Sequence, residues 1–303
     1  MKRVLYILFV FLLPLTSFGQ GYNHQWLLGS YNFLQDPKGR MFIDANNYNI
    51  INESRKMSFK GTQGNICDLN GNFLMSSNGV WIANANNDTM MNGSGLNPGG
   101  VTGSWPYGLP FIGNNVFIPF PDDSTKYGFF HHTLSNPPNS KCMQLYYSLI
   151  DITLDGGLGG VSIKNSIVLT DSLQGGIGIC KHANGIDWWV TMIKDSSDLI
   201  YNLLYTSSGI TNISTQNLGF IPLPVSNSAQ LTFSPNGDKF ISATYDNPID
   251  RNSYLVLVDF NRCSGVFSNT QTVQLASSSY LWVWHFHRAE NLHMHVLKMK
   301  FSR

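Results

Sequence analysis

Short apolar runs punctuated by turn residues make up most of this chain. Leu199 to Tyr205 and Tyr254 to Phe260 read as buried strands. Asn65-Ile66-Cys67 and Gly178-Ile179-Cys180 are shorter runs of the same kind, and Tyr127 to Phe130 forms a strand that leads into His131 and His132. One turn recurs between such runs: a short strand, then Asn-Gly, then one or two residues, then an aromatic that opens the next strand. It stands as Asp68-Leu69-Asn70-Gly71-Asn72-Phe73. It returns as His182-Ala183-Asn184-Gly185-Ile186-Asp187-Trp188 and as Ser234-Pro235-Asn236-Gly237-Asp238-Lys239-Phe240. Asn and Gly both tolerate the positive φ that a tight hairpin demands, and the aromatic packs on the sheet that follows.

The spacing makes this a repeat. Asn184 and Asn236 are 52 residues apart, and Asn70 and Asn184 are 114 apart, close to two such steps. A middle copy is therefore expected near residue 125, where Pro121-Asp122-Asp123-Ser124-Thr125-Lys126-Tyr127 is rich in turn residues and ends on an aromatic. A step of this length fits one four-stranded blade, for which repeats run to about 40–50 residues. The expected fold is all-β: a β-propeller-like array of four-stranded antiparallel blades, incomplete, with about five blades or part-blades over residues 20–282.

Leu231-Thr232-Phe233-Ser234-Pro235-Asn236-Gly237-Asp238-Lys239-Phe240-Ile241 resembles the repeat signature of TolB-like, WD-related propellers. Asp68 to Leu74, Tyr147 to Thr153, Gly156-Gly157-Leu158-Gly159 and Lys181 to Gly185 extend the likeness over roughly residues 25–280. The wider chain resembles secreted propellers that continue into a type IX secretion sorting domain, and no such domain is recognisable here. The resemblance implies a fold and an extracellular address. It implies no reaction.

The N-terminus points the same way. Lys2 and Arg3 precede the apolar run Val4 to Leu15, and Ser17-Phe18-Gly19 supplies small residues at a cleavage site. Residues 1–19 thus read as a signal peptide, leaving Gln20 as the mature terminus. The run falls short of the roughly 20 apolar residues of a spanning helix. The expected location is periplasmic, outer surface or secreted. Charged residues make up 12% of the chain, against a usual value of about 25%, and Gly, Asn, Ser and Thr carry the polarity instead. That mix disfavours long helices. With a net charge of +1, nothing in the balance points to nucleic acid or a membrane surface. Cys67, Cys142, Cys180 and Cys263 form no CxxC pair, and buried free thiols in strands are the expectation for Cys67 and Cys180.

After Trp282 the character changes. Residues 283–303 hold no Gly, Pro or Thr, and His285, His287, His293 and His295 supply half of the eight histidines. Two alternating pairs suggest four imidazoles for a metal. Coding arithmetic suggests otherwise. Read one nucleotide out of step, Met294-His295 forces Ala, and allowed codons across the tail spell Val-Ala-Phe-Ser-Pro-Ser-Gly-Lys-Phe. That is the repeat signature again, about 52 residues beyond Gly237. The tail therefore reads as out of frame, its metal affinity as adventitious, and the chain as a fragment of a longer propeller.

Catalytic signatures are lacking. The chain has no G-x-S-x-G, no H-E-x-x-H and no P-loop. His131 and His132 are neighbours on a strand and face opposite ways, so one surface and one packed histidine are expected. Asp155 to Gly160 reads as a flexible hairpin loop, because no long helix follows to present an N-terminus to phosphate. His182, Asp187 and Trp189 surround one repeat turn and are the candidate ligand rim. Asn70, Gly71, Asn184, Gly185, Pro235, Asn236 and Gly237 are expected to be structural. The function expected is non-catalytic binding of an extracellular protein or a glycan, without a cofactor. The alternative is a fragment of a secreted enzyme acting on polysaccharide, which needs two carboxylates about 5–9.5 Å apart across a cleft.

Overall fold

The computed structural model describes residues 21–29, 38–44, 47–135, 141–220, 229–245 and 253–275. The signal peptide, Gln20 and the tail with His285, His287, His293 and His295 lie outside the described residues. The chain is all-β, with one short helix, α1 (Gly100–Ser104), and nineteen strands among the described residues.

The strands pair with their sequence neighbours, as short hairpin connections require. β1 (Gln25–Leu28), β2 (Lys38–Ile43) and β3 (Tyr48–Glu53) form an antiparallel three-stranded sheet. β4 (Gly64–Cys67), β5 (Phe73–Ser77), β6 (Trp81–Ala83) and β7 (Thr89–Ser94) follow in order. So do β8 (Asn115–Pro119), β9 (Lys126–His131), β10 (Cys142–Asp151) and β11 (Gly160–Leu173). These two runs of four form one eight-stranded sheet, because β7 and β11 meet side by side in parallel at Met91 and Gly160. Two separate four-stranded antiparallel sheets complete the fold. The first holds β12 (Gly178–Lys181), β13 (Trp188–Ile193), β14 (Leu199–Thr206) and β15 (Gly209–Asn217). The second holds β16 (Gln230–Phe233), β17 (Lys239–Tyr245), β18 (Ser253–Asn261) and β19 (Val266–Leu275). The uniform four-stranded pattern expected from the turns is thus met in two sheets, while the first has three strands and eight are fused.

Composition follows position within each sheet. β13 is buried along nearly its whole length and is written Trp-Trp-Val-Thr-Met-Ile, whereas β15 is exposed on both faces and carries Thr211, Asn212, Ser214, Thr215 and Gln216. Successive sheets, and the two four-stranded runs of the fused sheet, pack face to face with apolar layers between them. Leu27, Met57 and Phe73 form the first layer, and Ile66, Met75, Phe117 and Phe129 the second. Phe130, Leu145, Val190, Leu203 and Tyr205 form the third, and Trp189, Ile200, Phe240, Val258 and Phe260 the fourth. Burying each such side chain contributes about 1.5–3 kcal/mol.

This stacking corrects the expectation for the paired histidines. His131 and His132 point to opposite faces, but β9 is covered on both, and each histidine is 0% exposed. Asp155 to Gly157 forms a single 3-10 turn in the connection from β10 to β11, with left-handed backbone at Asp155, Gly156, Gly157 and Gly159. Cys67, Cys142 and Cys180 are buried free thiols, and Cys263 is an exposed one.

Candidate functional site

The recurring turns share one hydrogen-bond scheme. In the β4–β5 turn, Asp68 N donates to Asn72 O at 2.8 Å and Gly71 N donates to Asp68 O at 3.1 Å. The β12–β13 turn repeats this with His182 N to Asp187 O and Gly185 N to His182 O. The β16–β17 turn does so with Ser234 N to Lys239 O and Gly237 N to Ser234 O. The β8–β9 turn follows suit: Phe120 N donates to Lys126 O and Asp123 N to Phe120 O. The glycines take positive φ, +83° at Gly71, +76° at Gly185 and +70° at Gly237. Asn70, Asn184 and Asn236 do not. They occupy the third position of an ordinary turn, and only the fourth residue needs the left-handed conformation, so the expected reason for the asparagines is corrected. In the β8–β9 turn Asp122 is the residue at positive φ. Pro235 sits second in its turn, where its fixed φ suits the backbone.

The candidate rim residues are brought together but do not form an open rim. Asp187 closes its own turn, accepting from Asn184 Nδ2 at 2.7 Å. His182 Nδ1 accepts from Asn184 N at 3.1 Å, which leaves Nε2 to donate to Cys263 O at 3.1 Å. Trp189 is buried, and its Nε1 donates to Arg262 O at 2.8 Å. Its ring packs edge-on to Phe260 and covers Gly265, where a Cβ would come within 2.6 Å of it. His182 and Trp189 therefore hold the β18–β19 turn of the next sheet, while Asp187 is engaged within its own turn.

That turn borders a groove of about 500 Å³. Asn236 and Asp238 line it from the β16–β17 turn. Asp259, Asn261, Arg262 and Ser268 line it from the β18–β19 hairpin, and Ala183 from the β12–β13 turn. Each wall is fixed by local bonding. Ser234 Oγ donates to Asp238 Oδ1 at 2.7 Å, and Asn261 Oδ1 accepts from the amides of Cys263 and Ser264 at 2.9 and 3.1 Å. Asp259 receives Lys239 Nζ at 2.5 Å and Asn269 Nδ2 at 2.9 Å, and those two donors hold its carboxyl below the usual range. The stem of Arg262 crosses Gly237 so closely that a Cβ there would lie 2.5 Å from Cδ. Sequence reasoning placed Asn236 in a structural turn and passed over Asp238, Asn261, Arg262 and Ser268. The one signal available was a second turn, Asn261-Arg262-Cys263-Ser264-Gly265, with an uncommon arginine in it.

A second constellation resembles a catalytic triad. His131 Nδ1 lies 2.8 Å from Asn97 Oδ1, and Nε2 lies 3.0 Å from Ser148 Oγ. Asn97 Nδ2 donates to Gly79 O at 2.9 Å, so its Oδ1 faces the imidazole and Nε2 accepts from Ser148. A nucleophile must reach substrate, however, and Asn97, His131 and Ser148 are each 0% exposed. Ser148 Oγ also accepts from Asn165 N at 3.1 Å, and Asn165 Nδ2 donates to Gly95 O at 2.8 Å. The network ties β9, β10 and β11 to the loop after β7. Burial pushes the His131 imidazole down to about 3, with the neighbouring His132 adding to the effect. On the other face of β9, His132 Nδ1 lies 2.9 Å from Cys142 Sγ; burial takes His132 down to about 4 and pushes the thiol up.

Among the described residues, no three His, Cys, Asp or Glu side chains are grouped to hold a metal, and no helix is long and apolar enough to cross a membrane. No family model matches the chain, and no curated protein matches it. Among solved structures, the chain is similar to a triple arginine-to-alanine mutant of AofleA from Arthrobotrys oligospora. That similarity spans 86% of this chain and 77% of the other, with 9% identity and a TM-score of 0.38.

Proposed function

We propose that this chain is an exported, non-catalytic binding module, built as a propeller-like array of four-stranded blades and carrying its ligand groove at the turn end of the last one. The blade reading is supported by the two separate four-stranded sheets. It is also supported by the way the eight-stranded sheet divides into two runs of four that touch at one parallel pair. β1 lies beside β4 and β12 beside β16, and the first strands of the two fused runs, β4 and β8, also meet, as blades around an axis would place them. Export rests on residues 1–19. Kinship with TolB-like, WD-related propellers and a type IX route belong to the same proposal.

The observation that carries the binding reading is the groove beside Arg262, whose walls are set by turn hydrogen bonds and therefore organised before any ligand arrives. The partner is an extracellular glycan or protein, and no cofactor is invoked. A hydrolytic reading has one point in its favour, since Asp238 and Asp259 line the same groove. It is the weaker reading. A glycosidase acid needs a raised carboxyl, and Lys239 and Asn269 move Asp259 the other way.

Two measurements test the proposal. Terminal sequencing of exported protein is expected to begin at Gln20, and an intact Met1 terminus would overturn export. Residues 20–303 are then run through native gels containing extracellular polysaccharides, with a parallel assay for reducing ends. Retardation without new reducing ends is the expected result. Release of reducing ends that stops in Asp238→Asn would replace the module with an enzyme.

A further inference from the structure

We propose that the groove takes a neutral saccharide through a pair of adjacent hydroxyls, with Arg262 and Asp238 as the principal contacts. This rests on the binding-module reading and names the ligand of that site.

Charge is the first argument. Asp238 and Asp259 face the groove, Arg262 reaches it from the β18–β19 turn, and Lys239 is bonded to Asp259. Two negative and two positive side chains cancel, so a formally charged ligand gains no net attraction while still losing its hydration. A neutral polyol loses less on entering and still finds donors and acceptors side by side.

The supply of hydrogen-bonding groups is the second. Asp238 has one oxygen engaged by Ser234, which leaves Oδ2 to accept. Arg262 presents a planar fork of donors, and among the described residues its guanidinium has no ion pair or hydrogen bond. Asn261 uses Oδ1 within its own turn and keeps its NH₂ to donate. Forked donors beside a carboxylate oxygen match two neighbouring hydroxyls, each of which both donates and accepts. Hydrogen bonds to charged groups are the stronger kind, and here Asp238 is held by Ser234 while the stem of Arg262 is packed against Gly237.

The third argument separates a sugar from a peptide. Protein hot spots need an aromatic or aliphatic anchor in a pocket. The one aromatic lining the groove, Phe260, is 5% exposed and packed against Phe233, Phe267 and Trp189. It gives a small apolar floor and no hole for a side chain.

Calorimetric titration of residues 20–303 with methyl glycosides of neutral hexoses, and with glucuronate and glucosamine as charged counterparts, tests this. A neutral glycoside is expected to bind, and Arg262→Gln and Asp238→Ala are each expected to weaken it about tenfold or more. Arg262→Gln keeps most of the stem that crosses Gly237, and an unchanged melting temperature shows that the fold is kept. Tighter, Arg262-dependent binding of glucuronate or glucosamine would overturn the ligand class and leave the binding module standing. Binding untouched by either substitution would overturn the site. No binding of any probe, in a protein still retarded by polysaccharide gels, would overturn this inference alone.

Discussion

The Tyr205 hydroxyl occupies the space that a side chain on Gly128 would need: a Cβ there would lie 2.6 Å from the oxygen. Gly128 is in β9 and Tyr205 in β14, so the contact joins the eight-stranded sheet to the sheet beside it. Tyr205 is 0% exposed, its hydroxyl lies 3.0 Å from that of Tyr147, and Phe130 and Phe120 meet its ring edge-on. Gly128→Ala is therefore expected to cost about 1–3 kcal/mol by overpacking. Tyr205→Phe is expected to cost about 1–2 kcal/mol through the hydroxyl left behind on Tyr147. In the Gly128→Ala, Tyr205→Phe double mutant the two costs are expected to fall short of their sum, because the clash and the hydrogen bond share one oxygen. Additive costs by urea denaturation would show that the two residues act independently.

The turn glycines are not equivalent. Gly185 has positive φ and open space around it, so Gly185→Ala meets backbone strain alone, about 1–2 kcal/mol. Gly237 has the same backbone but is walled in, since a Cβ there would lie 2.5 Å from both Cys180 Sγ and Arg262 Cδ. Gly237→Ala is expected to cost about 2–4 kcal/mol, strain and overpacking together, and Gly237→Val more. Equal losses of thermal stability at the two glycines would remove the case for a packed seam.

Trp189 is expected to matter twice. Trp189→Ala removes a buried ring and its bond to Arg262 O, at about 3–5 kcal/mol. Trp189→Phe keeps apolar area but loses the donor, leaving the Arg262 carbonyl to Ala183 N alone at 3.2 Å. The milder mutant is expected to remain folded while its groove loses ligand affinity. Unchanged titration in Trp189→Phe would show that the turn holds itself.

Acid is expected to unfold the protein in two stages. The buried imidazoles of His131 and His132 sit at about 3 and about 4, below their ordinary 6.5, so the unfolded chain binds protons that the folded chain does not. Their contribution is whole above pH 6.5 and is lost progressively as pH falls towards 3. The carboxyls of Asp123, Asp151, Asp171 and Asp259 are also held low, and their contribution is lost only below about pH 4. Denaturation midpoints measured from pH 7 to pH 4 should fall in the native chain. In a folded His132→Gln variant they should fall less. A native profile that is flat over this range would contradict the buried neutral state.

The amino-acid order by itself determined the strand-and-turn framework, because the bonds that make it are local. Asp68 Oδ1 accepts from Asn70 N and Asn72 N within five residues, and Gly71, Gly185 and Gly237 hold conformations that other residues adopt at a cost. The strands Leu199 to Tyr205 and Tyr254 to Phe260, named from apolar runs alone, coincide with β14 and β18. What lies between sheets was decided only by tertiary structure. Whether β9 has one covered face or two depends on its neighbours, so His131 and His132 are both buried although strand alternation separates them. The fusion of two four-stranded runs depends on Met91 meeting Gly160, 69 positions along the chain, where neither residue carries a pairing signal. The candidate site shows the same division. His182, Asp187 and Trp189 were legible because they crowd one turn, yet their polar groups are spent on Asn184 in that turn and on residues 262–263. Arg262 and Asp238 become neighbours across a groove only when two separate turns of one sheet are folded to the same end. Local hydrogen bonding leaves a mark on sequence, whereas proximity across a sheet is written in packing alone.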